Sequence, residues 1–222
     1  MKYLNKIKSI LSPIKPTYKI ASFFYNRFIL KSDNYWENRY RLNLDSGSGS
    51  YGRLAIFKSN VINEIIQDYQ IKNIVELGVG DGNNLKLYKG FDSYTGFDVS
   101  RTIIEKNKKN FKSEIYKFYV LNEEAVPKCE LIMSLDVIYH LIEDKVYKSH
   151  LNDLFKNATN LVLIYSSNFD GKKFRHVKHR RFSNDIPNNF TLIKKINNDF
   201  HASPNDPENT SIADFYLYKK VN

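Results

Sequence analysis

The sequence predicts an α/β protein: a doubly wound, mostly parallel sheet closed by an antiparallel C-terminal strand pair, behind an N-terminal helical extension. Three observations predict it. Short apolar runs alternate with amphipathic stretches from Ile71 to residue 167. The first run is followed at once by Gly78, Gly80 and Gly82 in "VELGVGDG". The last two runs, "FTLIKKI" and "DFYLYKK", have only a loop between them, so they read as an antiparallel pair.

Residues 1–45 form the helical extension, interrupted at Pro13 and Pro16. Within it, "DNYWENRYRLNL" sets Tyr35, Trp36, Arg39 and Tyr40 at helical spacing, which makes one face aromatic. "DSGSGSYGR" then has the composition of a linker, and the core occupies 46–222. "LAIFKSNVINEIIQDY" repeats apolar residues at three and four, an amphipathic helix. "NIVELG" is the first strand, and "NNLKLY" is expected to open a helix. "YTGFDV" is the second strand and "SRTIIEKNKKNF" its helix. "EIYKFYV" and "ELIMSLDV" are the third and fourth strands. "EDKVYKSHLNDLFKNA" is a long helix and "NLVLIYSS" the fifth strand.

The formal charge of +10 would suit a nucleic-acid partner. The basic residues, however, are scattered along the chain, and the excess of Lys, Asn and Ile is what an AT-rich coding sequence produces. Cys129 is the single cysteine, so no intrachain disulfide forms and a reducing, cytoplasmic setting is expected. "MKYLNKIKSILSPIKP" lacks the features of a signal peptide. "IASFFYNRFIL" is broken by Asn26 and Arg27 and is too short for a span of about 20 residues. Residues 1–30 read as a helix packed on its own domain, with peripheral membrane contact as the alternative.

The glycine turn defines a ligand. Glycines there let backbone approach a bound group with no Cβ in the way. Asp98 ends the second strand, 20 residues after Gly78, where a carboxylate accepts from both hydroxyls of a ribose. The dinucleotide pattern G-x-G-x-x-G/A fails, because Asn83 stands at its sixth position, and no Walker lysine is present. Glu76 would repel a pyrophosphate but suits an ammonium. The ligand that joins a ribose to an ammonium without a phosphate is S-adenosyl-L-methionine, with S-adenosyl-L-homocysteine as product. Val99 and Ser134, beside the ends of the second and fourth strands, complete the candidate cofactor set.

These residues carry a resemblance. "VELGVGDG" and "YTGFDVS" are similar to the first two motifs of class I S-adenosylmethionine-dependent methyltransferases. More narrowly, "YWENRYRLNLDSGSGSYGRLAIFK", "SLDVIYHLIED", "YSSN" and "HVKHRRF" resemble a small bacterial group associated with surface-polysaccharide (capsule or lipopolysaccharide) biosynthesis. The resemblance implies a Rossmann-like core, a methylated acceptor, and an adenine contact after the third strand. "LNEEAVP" lacks the Asp of many relatives there, leaving Asn122 or Glu123 for that part. It also favours a lid over a linker at "SGSGSYGR", with Tyr51 and Arg53 closing on the ligands.

By the layout of that fold the end of the fourth strand faces the reacting methyl. Asp136 and His140 share a face if the chain turns helical between them, with Tyr139 beside the acceptor. His140 is the candidate general base, and Asp136 orients it or binds the acceptor. No third ligand stands near the pair, so no metal is expected. After the fifth strand, His176, His179, Arg180 and Arg181 would hold the negative charge of a small anionic acceptor, an activated or phosphorylated sugar or a phosphoramidate-type decoration. The absence of a D/N/S-P-P-Y/F/W-type motif or a Pro-Cys nucleophile after the fourth strand argues against DNA. RNA (tRNA) methylation and a non-catalytic cofactor-binding or membrane-associated role are the alternatives.

Overall fold

The structure, a computed structural model, describes residues 31–171, 176–206 and 208–221, so the segment assigned to membrane contact, 1–30, lies outside the described residues. The helices are α1 (Ser32–Arg41), α2 (Gly52–Asp68), α3 (Arg101–Asn110) and α4 (Asp144–Asn157). The strands are β1 (Asn73–Leu77), β2 (Ser93–Asp98), β3 (Tyr116–Val120), β4 (Cys129–Leu135), β5 (Ala158–Ser166), β6 (Phe190–Ile196) and β7 (Asp214–Lys220).

The strands form one seven-stranded sheet in the order β3-β2-β1-β4-β5-β7-β6. The first five run parallel, whereas β7 is antiparallel to both β5 and β6, as expected. Strand order reverses between β1 and β4, and their carboxyl ends therefore part to leave a crevice.

Alternation along the strands decides what each layer holds. On one face Ile74, Tyr94, Leu131, Met133, Leu163 and Phe215 pack under Val61, Ile62, Ile65 and Ile66 of α2 and Ile104 of α3. On the other, Val75, Ile132, Val162 and Ile164 pack under Leu151, Leu154 and Phe155 of α4. Ile62 and Ile66 are almost fully buried, each worth about 2 kcal/mol. No helix among the described residues is long and apolar enough to cross a membrane.

One expected element is absent. "NNLKLY" forms only a 3₁₀ turn, Leu85–Leu87, in place of a helix. Asn63 of α2 takes over the backbone partners that a helix would supply. Its Nδ2 donates to Leu87 O and its Oδ1 accepts from Lys89 N. Leu85 and Tyr88 are then free to turn into the core.

α1 lies across the carboxyl edge of the sheet. At its start, Ser32 donates from N and Oγ to Glu143 and accepts from Ile142 N, fixing it to the entry of α4. Farther along, Glu37 accepts from Ser100 Oγ and Thr102 Oγ1, placing a carboxylate at the N-terminus of α3.

Candidate active site

The crevice between β1 and β4 is floored by the glycine turn. Gly78, Gly80 and Gly82 all have positive φ, at 93°, 56° and 71°, a region in which L side chains are strained. The turn is tied to the end of β2: Gly78 N and Val79 N donate to Phe97 O at 2.7 and 2.9 Å. Gly80 N donates to Asp98 Oδ2, and Ser100 N to Asp98 Oδ1, both at 3.0 Å. Burial pushes the Asp98 carboxyl up to about 6, against the pull of these N–H donors. Glu76 is also buried and accepts from Tyr94 Oη at 2.6 Å, and burial pushes it up to about 7.

These donors and acceptors fit the expected cofactor. A carboxylate that can face a ribose stands at the end of β2, a second that can face an ammonium stands in the crevice, and the turn between them carries no side chain at Gly78 or Gly80. In addition, the buried hydroxyl of Tyr88 has no hydrogen-bond partner among the described residues. Val99 sits half-buried beyond Asp98, whereas Asn122 and Glu123 are exposed. Glu123 pairs with Arg101 at the surface, which leaves Asn122, at φ 72°, with no described side-chain contact.

Ser134 is directed elsewhere. It faces α4 because it lies between Met133 and Leu135, which face α2, and its Oγ is 2.8 Å from Nε2 of buried His150.

The Gly-Ser segment folds over the glycine turn. Ser46 N donates to Asp81 Oδ2, and Asp81 N donates back to Ser46 Oγ. Tyr51 Oη donates to the same Oδ2 at 2.5 Å, and Asn83 Nδ2 donates to Ser50 O. Tyr51 thus meets the site through Asp81. Arg53 turns the other way, to Asp206, Asn209 O and the Phe200 ring.

At the end of β4 the chain makes a 3₁₀ turn, Ile138–His140, rather than the α-helix that would align Asp136 with His140. Asp136, at φ 59°, uses one oxygen for Lys58 Nζ at 2.7 Å and the other for Tyr139 Oη at 2.7 Å. It therefore does not orient His140. The Nδ1 of His140 instead lies 3.2 Å from the carbonyl of His176. With Nδ1 as donor, Nε2 carries the free lone pair. Its ring stacks on His176, with centroids 5.1 Å apart, and meets the edge of Trp36. His176 in turn stacks on Tyr35 at 4.2 Å. Burial holds His140 down at about 4, so the imidazole is neutral over the physiological range.

Lys58 was missed by sequence reasoning. The signal was legible: it falls within the apolar stripe Leu54, Ala55, Lys58, Val61, Ile62 of α2, where a cation must find a partner. Asp81, Tyr35 and Trp36 gave no comparable signal as site residues, since their partners are distant in sequence.

The basic stretch does not act as one anion site. Arg180 donates to Leu141 O, Ile142 O and Asp144, and Lys178 also donates to Asp144. The side-chain hydrogen bonds of Lys178 and Arg180 hold the Asp144 carboxyl down at about 2. Arg181 is exposed, 4.0 Å from Asp170, and His179 Nδ1 lies 2.7 Å from Ser167 Oγ. Arg180→Ala is therefore expected to lower stability by about 3 kcal/mol, read as a drop in Tm, because it strips buried carbonyls of their donor. An unchanged Tm would return Arg180 to the acceptor. Beside Tyr139 opens a cleft of about 450 Å³, walled by Ala202, Ser203, Pro204, Thr210, Ser211 and Ile212.

No protein-family model matches the sequence, and comparison with curated proteins finds no match. Solved structures do match in fold. N-methyltransferase NodS from Bradyrhizobium japonicum WM9, in complex with S-adenosyl-L-homocysteine, superposes with a TM-score of 0.62 at 12% identity, over 76% of this chain and 88% of that one. Magnesium protoporphyrin IX methyltransferase (ChlM) from Synechocystis PCC 6803 with the same bound ligand gives 0.60 at 11% identity, over 91% and 99%. A S-adenosylmethionine-dependent methyltransferase from Clostridium acetobutylicum ATCC 824 gives 0.54 at 11% identity, over 93% and 100%. The architecture is thus a Rossmann-like methyltransferase fold.

Proposed function

We propose that the chain is an S-adenosylmethionine-dependent methyltransferase acting on a hydroxyl oxygen of a small acceptor, of the kind found in surface-polysaccharide precursors. The observation that carries the reading is the pairing of Glu76 in the crevice with Asp98 at the end of β2, joined by the glycine turn through Gly80 N. When bound, the cofactor supplies a methyl group on a sulfonium sulfur.

The chain's own residues supply position and a proton acceptor. Asp98 takes the ribose hydroxyls, Glu76 the ammonium, and the segment 45–51 excludes water. Nε2 of neutral His140 accepts the acceptor's hydroxyl proton, an effect of about 10²- to 10⁴-fold. The cleft beside Tyr139 is lined by hydroxyl and apolar groups, which suits a glycosyl ring. The anionic character expected of the acceptor now rests on exposed Arg181, since Arg180 is committed to the fold. A formal charge of +10 favours RNA as the second reading, which salt-sensitive methylation of tRNA transcripts would select.

Calorimetric titration with S-adenosylmethionine tests the reading: micromolar binding is expected, and none by the folded chain overturns it. The pH dependence has a defined sign. Glu76 must be ionised to take an ammonium, so affinity rises with pH through about 7, up to the pH at which the ligand's own ammonium begins to lose its proton. His140→Ala should keep cofactor affinity and lose at least about tenfold in turnover. At saturating cofactor, wild-type turnover should persist below pH 6.5 and fall only as His140 protonates near about 4.

A further inference from the structure

Tyr139 lines the cleft of about 450 Å³ with a hydroxyl whose proton is already committed. Its Oη donates to Asp136 Oδ1 at 2.7 Å, and the other Asp136 oxygen is held by Lys58 Nζ at 2.7 Å. Lys58 is fully buried, so solvent screens this ion pair little and the Tyr139 proton keeps its direction. Burial and the Asp136 charge push the Tyr139 phenol well above its ordinary range, so it retains that proton and is no base. What Tyr139 can offer the cleft is a lone pair.

The rest of the wall has the reverse polarity. Ser203 Oγ accepts from Asn205 N and Ser211 Oγ from Ala213 N, so each keeps its own proton to donate. Ala202, Pro204 and Ile212 add apolar surface, and no charged side chain lines the cleft. We propose that the cleft holds a neutral sugar ring, which Tyr139 selects by accepting from a second hydroxyl, other than the one that His140 deprotonates. This deepens the methyltransferase reading and rests on it. A sugar hydroxyl both donates and accepts, so it satisfies Tyr139 and the serines alike. A phosphate dianion only accepts, which leaves Tyr139 unmatched and sets two negative charges near Asp136. Any phosphate on the acceptor therefore stays outside the cleft. Tyr139 is a specificity-determining residue, and Lys58 and Asp136 are the positioning residues behind it.

The test is ligand-observed NMR titration of the S-adenosylhomocysteine-loaded chain. The probes are methyl hexopyranosides of gluco, galacto and manno configuration, each with its deoxyfluoro analogues, one ring position at a time. Fluorine accepts weakly and cannot donate. At least one glycoside should bind, and inorganic phosphate at equal concentration should not displace it. At the ring position that faces Tyr139, fluorine should weaken wild-type binding by about threefold to tenfold. In Tyr139→Phe that penalty should vanish, because the lone pair is gone. Asp136→Asn should abolish it differently. Lys58 keeps the amide oxygen, the amide nitrogen donates to Tyr139, and the phenol proton turns into the cleft, where fluorine can accept it. If Asp136→Asn loses its cooperative melt, Tyr139→Phe decides the matter, since it leaves the Lys58–Asp136 pair in place. Absence of glycoside binding, displacement by phosphate, or fluorine penalties that are the same in wild type and Tyr139→Phe overturns the proposal. Calorimetry on the same samples keeps the two readings apart: a folded wild type that does not bind S-adenosylhomocysteine brings down the cofactor reading itself.

Discussion

Asp98→Ala should weaken S-adenosylmethionine by at least about 100-fold. The carboxylate is expected to accept from the ribose, and hydrogen bonds to a charged group are worth about 1.5–3 kcal/mol each. The same side chain also latches the turn, through Gly80 N and Ser100 N at 3.0 Å. Its loss should therefore lower Tm as well, by several degrees for about 2 kcal/mol in a chain of this size. Asp98→Asn separates the two effects. The amide keeps one acceptor for the turn and should recover part of the Tm while remaining a poor ribose partner. Calorimetry and thermal melts on the same preparations read both quantities. A folded Asp98→Ala variant with wild-type affinity would mean that the ribose is held elsewhere.

Gly78→Ala should cost about 3 kcal/mol of stability. Two costs combine. At φ 93° an L side chain is strained, and the new Cβ would come within 2.3 Å of Val137 Cγ2. Gly78 cannot slide away to relieve the clash, because its N–H is held by Phe97 O. Tm should fall by about 6–12 °C. Gly78→Ala combined with Val137→Ala should restore the part due to the clash and not the part due to φ. A loss below about 1 kcal/mol would show that the turn can adopt another path.

The strands were legible because their signal is local. "IVEL", "LIMSL" and "LVLIYS" are apolar enough to be buried on both faces, and the glycines after β1 mark the turn that a ligand needs. The non-helical path after β1 was not legible, since the partner that satisfies it, Asn63, lies on α2, more than twenty residues earlier. Arg180 misled for the same reason. "HVKHRRF" reads as a free basic cluster until folding brings the Leu141 and Ile142 carbonyls and Asp144 against it. His140 was legible as a residue and illegible as an environment. Trp36 meets it, and Tyr35 stacks on the His176 ring beside it, because α1 is pinned across the sheet edge. The direction of Ser134 was legible from strand periodicity. Strand alternation puts it opposite Met133 and Leu135, on the face away from α2.

The bonds joining Ser46, Ser50 and Tyr51 to Asp81 and Asn83 bear on timing as much as on affinity. A ligand seated on the glycine turn would lie under a strap between Gly47 and Gly52 that is fastened to the protein itself. Were it to enclose the ligand, entry would wait for that strap to lift, and so would exit. The clock for each visit would then be set by how often these few hydrogen bonds break together, on the microsecond-to-millisecond scale of loop opening. A slow association step and a long dwell time would share that one cause.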